Sequence, residues 1–355
     1  MRGELQTLGI AVLACALIAP PAAATTVIDW DGGPGATGGA WETGANWEGD
    51  AVPSNDAMGD SINVGIHVNN SAASPVTITS AVDDIQKLYI GAGDNNSTAG
   101  EGHLTISGAG DLTVKADMSF GGLSGSTGVL KITGGSFLGE KSNKTLQVGL
   151  NGTGEIDISG GSLSTNQHLY LGDGATGDAT MIVSDAADVD VSAVLRVGGS
   201  GTGLLVVDGS KSGTGADDIE AKRGGDRTSY EQGANGTLRF IFDQAAFDTP
   251  ANMRKITLTN GNGGYPEFTS GAKLDVQLDG GVTPAENTTW TVMTWTSNTA
   301  VADNLAFAAG VDTNTWSYNI DNTNKKMTIT YVPEPATMVL LGLGGVGIVL
   351  RRRRR

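Results

Sequence analysis

Cysteine is almost missing from this chain: Cys15 is the only one in 355 residues. A single thiol excludes intrachain disulfides and Cys-based metal sites. Aromatic residues make up only 5% and charged residues 17%, the latter below the usual quarter. Histidine occurs three times, as His67, His103 and His168, without the spacing of a metal-ligand set. Neither a G-x-S-x-G elbow nor a P-loop is present, so two common routes to nucleophilic and phosphoryl chemistry have no carrier. What the chain does have is glycine, 54 residues, about twice the usual share, and a net charge of −16. That acidity argues against nucleic acid as a partner. Apolar residues still reach 39% and recur in pattern, which separates the chain from the disordered class.

The two ends carry the address signals. Residues 1–24 have a short polar start with Arg2, an apolar stretch "LGIAVLACALIAPP", and small residues with Ala22 and Ala24 in an A-x-A-like arrangement. This is the layout of a signal peptide removed by signal peptidase near Ala24. "VLAC" also loosely matches a lipoprotein box that would acylate Cys15. The apolar run continues past Cys15, so the better reading places it inside the leader. At the other end, "ATMVLLGLGGVGIVL" (336–350) is followed by Arg351, Arg352, Arg353, Arg354 and Arg355. As a helix this stretch would be about 22 Å long, short against a hydrocarbon core of about 30 Å. The arginines act as a stop-transfer block and predict the bulk of the protein outside. An ordinary C-terminal anchor helix explains the apolar run and the arginines, but not Pro333-Glu334-Pro335 just before them.

Pro333, Glu334 and Pro335, the apolar segment and the basic cluster together resemble the PEP-CTERM sorting signal. The resemblance implies recognition by an exosortase-type membrane enzyme and removal of the tail near Pro333–Pro335. Loss of the leader removes Arg2 and Glu4, and loss of the tail removes Glu334 and five arginines, so the mature chain would carry −20.

The interior is repetitive. Apolar-x-apolar-Gly units recur at Leu88–Gly91, Met118–Gly121, Leu146–Gly149, Leu169–Gly172 and Leu195–Gly198. Each is followed by a second apolar-x-apolar unit, at Leu104–Ile106, Leu130–Ile132, Ile156–Ile158, Met181–Val183 and Leu205–Val207. A weaker third unit appears at Leu112–Val114 and Val189–Val191. Period two is the pattern of a strand, with first and third side chains on one face. Units this short bury an apolar face only by stacking on their equivalents. The expectation is an all-β protein: a right-handed parallel β-helix (β-solenoid) with a C-terminal β-rich cap region. An antiparallel β-sandwich is the competing architecture. It accounts for strand spacing but not for a fixed pair of units recurring in fixed order.

The expected organisation is a signal peptide at 1–24, an N-terminal cap with first strands at 25–80 and solenoid repeats at 81–212. A polar loop at 213–236, a C-terminal β region at 237–332 and the sorting tail at 333–355 complete it. Trp30, Trp41 and Trp47 lie in the cap region; covering the open end of a stack is favoured over a sugar-stacking platform. The segment "NWEGDAVPSNDAMGDSINV" resembles the opening of secreted β-helix proteins with autotransporter-associated repeats.

No catalytic constellation stands out. A lyase on such a scaffold needs acids on adjacent turns to hold Ca²⁺ and an Arg or Lys base beside them. The outward middle positions are Tyr89, Ser119, Gln147, Tyr170 and Arg196 in one ladder, and Thr105, Lys131, Asp157, Ile182 and Val206 in the other. Neither run stacks acids. No cofactor is expected. The one candidate is Ca²⁺ at "GDGATGD", where Asp173 and Asp178 precede Asp185, Asp188 and Asp190, and solvated turn acids are the simpler reading. The expected function is therefore a non-enzymatic exported surface or extracellular-matrix protein, structural or adhesive, with a transient inner-membrane stage. Its expected partners are signal peptidase, an exosortase-like enzyme and extracellular polysaccharide. The alternative from another class is a carbohydrate-active β-helix enzyme.

Overall fold

The computed structural model describes residues 25–332, apart from 33–37, 55–60, 69, 93–97, 141–143, 211–218, 224–226, 260–262, 283, 284 and 286. The predicted leader, with Ala22 and Ala24, and the tail, with Pro333 to Pro335 and the arginines, lie outside the described residues. The described chain is all-β, and almost all of its strand pairs are parallel.

Three ladders account for nearly all the strands. Ladder A runs β1 (Thr25–Asp29), β3 (Ser61–Ile66), β5 (Lys87–Ile90), β8 (Met118–Phe120), β10 (Leu146–Val148), β12 (Leu169–Leu171), β15 (Leu195–Val197), β18 (Arg227–Gln232) and β21 (Gly264–Phe268). Ladder B runs β2 (Gly39–Ala40), β4 (Val76–Ile78), β6 (Glu101–Ile106), the first halves of β9 (Thr127–Gly139) and β11 (Thr153–Thr165), β13 (Asp178–Val183), β16 (Thr202–Asp208), β19 (Gly236–Phe242), β22 (Lys273–Leu278) and β24 (Ala306–Phe307). Ladder C runs β7 (Asp111–Val114), the second halves of β9 and β11, β14 (Asp188–Val191), β17 (Ile219–Ala221), β20 (Ile256–Leu258) and β23 (Thr289–Trp295). From β5 to β23 the chain visits A, B and C in turn and returns to A one strand along. One such pass is called a rung below. The long strands β9 and β11 bend between ladders at Gly135 (φ 73°) and Gly161 (φ 72°). They link B to C through a corner, which is why the pairing scheme reconverges without a sheet closing on itself.

Register follows the sequence pattern. The first apolar position of ladder A stacks Ile28, Val64, Leu88, Met118, Leu146, Leu169, Leu195 and Tyr230, all buried. In ladder B, Val76, Leu104, Leu130, Ile156, Met181, Leu205, Leu238 and Leu274 do the same. Each such side chain leaves water only because its neighbours sit about 4.8 Å above and below it, and each contributes roughly 1.5–3 kcal/mol.

The corner between A and B is where glycine is required. Gly91, Gly121, Gly149, Gly172 and Gly198 turn the chain with φ between 59° and 82°, a region costly for other residues. A second glycine column follows at the start of ladder B. A Cβ on Gly128 would lie 2.2 Å from the Ile90 carbonyl oxygen, and one on Gly154 would lie 2.2 Å from the Gly149 nitrogen. Backbone crosses closely over backbone at these glycines, and the largest side chain in the column between Gly128 and Gly203 is the methyl of Ala179.

The ends are closed differently. At the N-terminal end Trp30, Trp41 and Trp47 are fully buried and meet edge to face at 4.8 and 4.6 Å. Buried rings offer no surface platform; Trp30 and Trp41 instead bond through their backbone amides to Gly65 and Thr77 of the next strands. At the other end β25 (Trp316–Asp321) and β26 (Lys326–Tyr331) pair antiparallel with each other, and β26 pairs antiparallel with β23. Phe242, Phe247, Trp290, Trp316 and Tyr331 pack around a short helix α1 (Gln244–Asp248). Asp243 caps that helix by accepting the Ala246 amide at 2.7 Å.

One expectation is corrected. The segment 213–236 is not one polar loop: it contains β17 and β18, and Gly236 opens β19. Parallel strands continue past the five repeats at both ends, to nine strands in ladder A.

Candidate functional site

The outer face of ladder A carries an outward column that varies from aromatic to amide to charge in register. Its middle positions are Gly65, Tyr89, Ser119, Gln147, Tyr170, Arg196, Glu231 and Glu267. Strand geometry forces this: the residue between two inward side chains faces outward. Two hollows lie on this face.

The larger hollow, about 470 Å³, is lined by Asp173, Arg196, Glu231 and Glu267 with the corner glycines Gly198 and Gly199. Arg196 organises it. Its Nη1 donates to Asp173 Oδ1 at 2.9 Å, its Nε donates to Glu231 Oε2 at 2.7 Å, and its guanidinium lies 4.3 Å from the Tyr170 ring centroid. Burial disfavours its charge, but Asp173 and Glu231 outweigh burial and hold its pKa above the ordinary value. Glu267, one rung along, accepts from Thr228 Oγ1 at 3.0 Å. His168 lies beside Tyr170, ring centroids 5.2 Å apart. Burial, aided by the positive charge of Arg223, lowers its pKa, which favours neutral imidazole.

The smaller hollow, about 330 Å³, is lined by Tyr89, Asp117, Ser119, Lys144, Thr145 and Gln147. Asp117 is gripped from two rungs, by Lys144 Nζ at 2.8 Å and Lys87 Nζ at 3.4 Å. Burial works to raise the Asp117 pKa, but the two ammonium groups prevail and hold it below the usual carboxylate range.

The other expected site residues are scattered. Thr105, Lys131, Asp157, Ile182 and Val206 do share one outward column of ladder B, where Lys131 bonds Asp157 at 2.9 Å. The acids around "GDGATGD" do not converge: Asp173 belongs to Arg196 and Asp190 to Lys222, at 2.6 Å. His103 bonds Glu101 at 2.7 Å in ladder B, whereas His168 stands just before β12 of ladder A. Among the described residues no group of three or more His, Cys, Asp or Glu could hold a metal ion, and no helix is long and apolar enough to cross a membrane.

The expectation that no outward run stacks acids is overturned by Glu231 and Glu267, which occupy adjacent rungs in register. The signal was present: Tyr230-Glu231-Gln232-Gly233 is the same four-residue unit with glutamine at the third position.

Residues 332–355 match the PEP-CTERM protein-sorting motif. Neither the curated proteins nor the solved structures gave a match. The motif marks an exported protein, sorted through its C-terminus by an exosortase with processing at the membrane.

Proposed function

We propose that this protein is a non-enzymatic component of the cell surface or extracellular matrix, built as a right-handed parallel β-helix that associates with extracellular polysaccharide. The observation that carries the reading is the junction at the C-terminus. β26 ends at Tyr331 and the sorting motif begins at 332, so cutting near Pro333–Pro335 would free the whole folded body intact. Right-handedness is the near-universal hand of parallel crossovers. A stack of this kind is stiff, and with −20 charges after both ends are removed it stays well solvated. The likeness of the opening segment to autotransporter-associated repeats fits the same picture. Signal peptidase and an exosortase are the processing partners, and no cofactor is required.

The test is the intact mass of the protein from its own cells, with membrane, medium and matrix fractions separated. A mass ending near Pro333–Pro335 in the matrix or medium is expected. A mass retaining Arg355 in the membrane fraction would replace sorting with anchoring.

A second reading, a polysaccharide lyase or hydrolase, is favoured by Glu231 and Glu267 beside Arg196. Against it, Arg196 is held by two carboxylates and is not a free base. Incubating the full chain with polygalacturonate and with neutral glucans, with and without Ca²⁺, decides between them. Product that vanishes in Glu267→Gln would establish the enzyme.

A further inference from the structure

The smaller hollow on ladder A contains an unresolved chemical demand. Ser119 is only 3% exposed, yet among the described residues its Oγ has no hydrogen-bond partner. A buried hydroxyl without a partner is rare and costly. The residue lines an open depression of about 330 Å³, but the hydroxyl oxygen itself is sealed from solvent, so a molecule entering the depression meets it once the Ser119 side chain turns outward.

The surroundings define that molecule. A hydroxyl both donates and accepts, and so does the amide of Gln147, one rung away. Thr145 adds a second hydroxyl and Tyr89 an aromatic flank. The charges nearby are already matched: Asp117 holds Lys144 and Lys87. A set of donor–acceptor groups beside an aromatic, with its ions paired among themselves, suits an uncharged polyol ring. Rung spacing of about 4.8 Å is comparable to one pyranose unit, so Ser119 and Gln147 would meet hydroxyls of the same or successive sugars along the stack.

We propose that this hollow binds a neutral pyranose of an extracellular polysaccharide, with Ser119 Oγ and the Gln147 amide hydrogen-bonding sugar hydroxyls. The proposal rests on the matrix reading above and names its contact site.

The test is calorimetric titration of the full chain with cellohexaose, laminarihexaose and a soluble α-mannan, using oligogalacturonate as the acidic comparison. At least one neutral glycan binds, and salt changes its affinity little. Ser119→Ala weakens it about tenfold, the effect of one lost hydrogen bond, while melting no lower than the parent, because removing an unpartnered hydroxyl relieves rather than creates strain. Gln147→Ala weakens it similarly. Equal binding by Ser119→Ala, preference for oligogalacturonate, or no binding of any neutral glycan would each overturn the site. Matrix fractionation separates the two failures. If the protein still co-fractionates with polysaccharide, the site alone is wrong; if it does not, the matrix reading falls with it.

Discussion

The rungs built on β5 to β16 and those built on β17 to β23 share one register but differ in what they put inside. In the first group the third inward position of ladder A is Ile90, Phe120, Val148, Leu171 and Val197. In the second it becomes Gln232, then Phe268, while the first position changes from Leu195 to Tyr230. Gln232 is buried and satisfied: its Oε1 accepts from the Tyr230 hydroxyl at 3.1 Å, and its Nε2 donates to the Gly236 and Lys273 carbonyls at 3.0 and 2.8 Å. Arg254 is likewise fully buried, donating to the Ala187 carbonyl at 2.8 Å and to that of Asp185. The stack therefore tolerates polar interiors: Gln232 is fully bonded, while Arg254 is held through its terminal nitrogens to backbone carbonyls. The glycines of the corner persist in sequence as Gly233 and Gly236 in the polar rung, although Gly233 lacks the positive φ of the regular corners, and give way to Thr269 and Ala272 one rung on.

That contrast predicts the corner of the regular rungs to be the least tolerant part. Gly128→Val or Gly154→Val forces a branched side chain into neighbouring backbone and should cost about 3 kcal/mol or more, read as loss of the cooperative melt. Ala179 sits in the same column, between Gly154 and Gly203. Ala179→Gly should therefore cost about 1 kcal/mol or less. Equal effects at Gly154 and Ala179 would show that the corner does not set the register.

Inside the regular rungs, Leu169→Ala removes a fully buried side chain and should cost about 2–5 kcal/mol by urea unfolding. In the polar rung, Gln232→Leu should cost about 1–3 kcal/mol, because two carbonyls and the Tyr230 hydroxyl lose their partner. Adding Tyr230→Phe should recover part of that loss by removing one of the stranded groups. A double variant less stable than the single one would mean that Tyr230 packs for its own sake.

The regular rungs were legible because leucine, glycine and turn residues repeat together. The polar rungs were hidden by their own chemistry. Tyr230-Glu231-Gln232-Gly233 reads as loop on hydropathy, yet occupies the strand register of Leu195-Arg196-Val197-Gly198. Spacing failed as well, since long insertions separate β16 from β18 and β18 from β21. The outward column was therefore readable only as far as Arg196, and the acids at Glu231 and Glu267 were missed. Ser119 was correctly placed on the outer face, but its burial depends on what folds around it, which strand periodicity does not report.

The smallest predicted effect separates two aspartates by the sign of their pH dependence. Asp117, among the regular rungs, has its pKa lowered because its lysines outweigh burial. The folded state then binds its proton less readily than the unfolded chain does. Its contribution is present above the unfolded carboxylate pKa and is lost as pH falls through the folded value. Asp208, at the end of β16 where the regular rungs give way, has its pKa raised by burial and by Asp279, Asp185 and Asp243, with Arg254 opposing. The folded state here holds the proton more readily, so stability from this group is present below the unfolded pKa and is lost as pH rises through the folded value. Melting temperature against pH should show the two as opposite slopes. Asp117→Asn should lower the melting temperature at neutral pH, whereas Asp208→Asn should raise it and flatten the decline just above the ordinary carboxylate range. If Asp208→Asn instead lowers the melting temperature at neutral pH, the ionised carboxylate is bound there by partners stronger than its acidic neighbours, and the boundary of the two regions is held by charge rather than in spite of it.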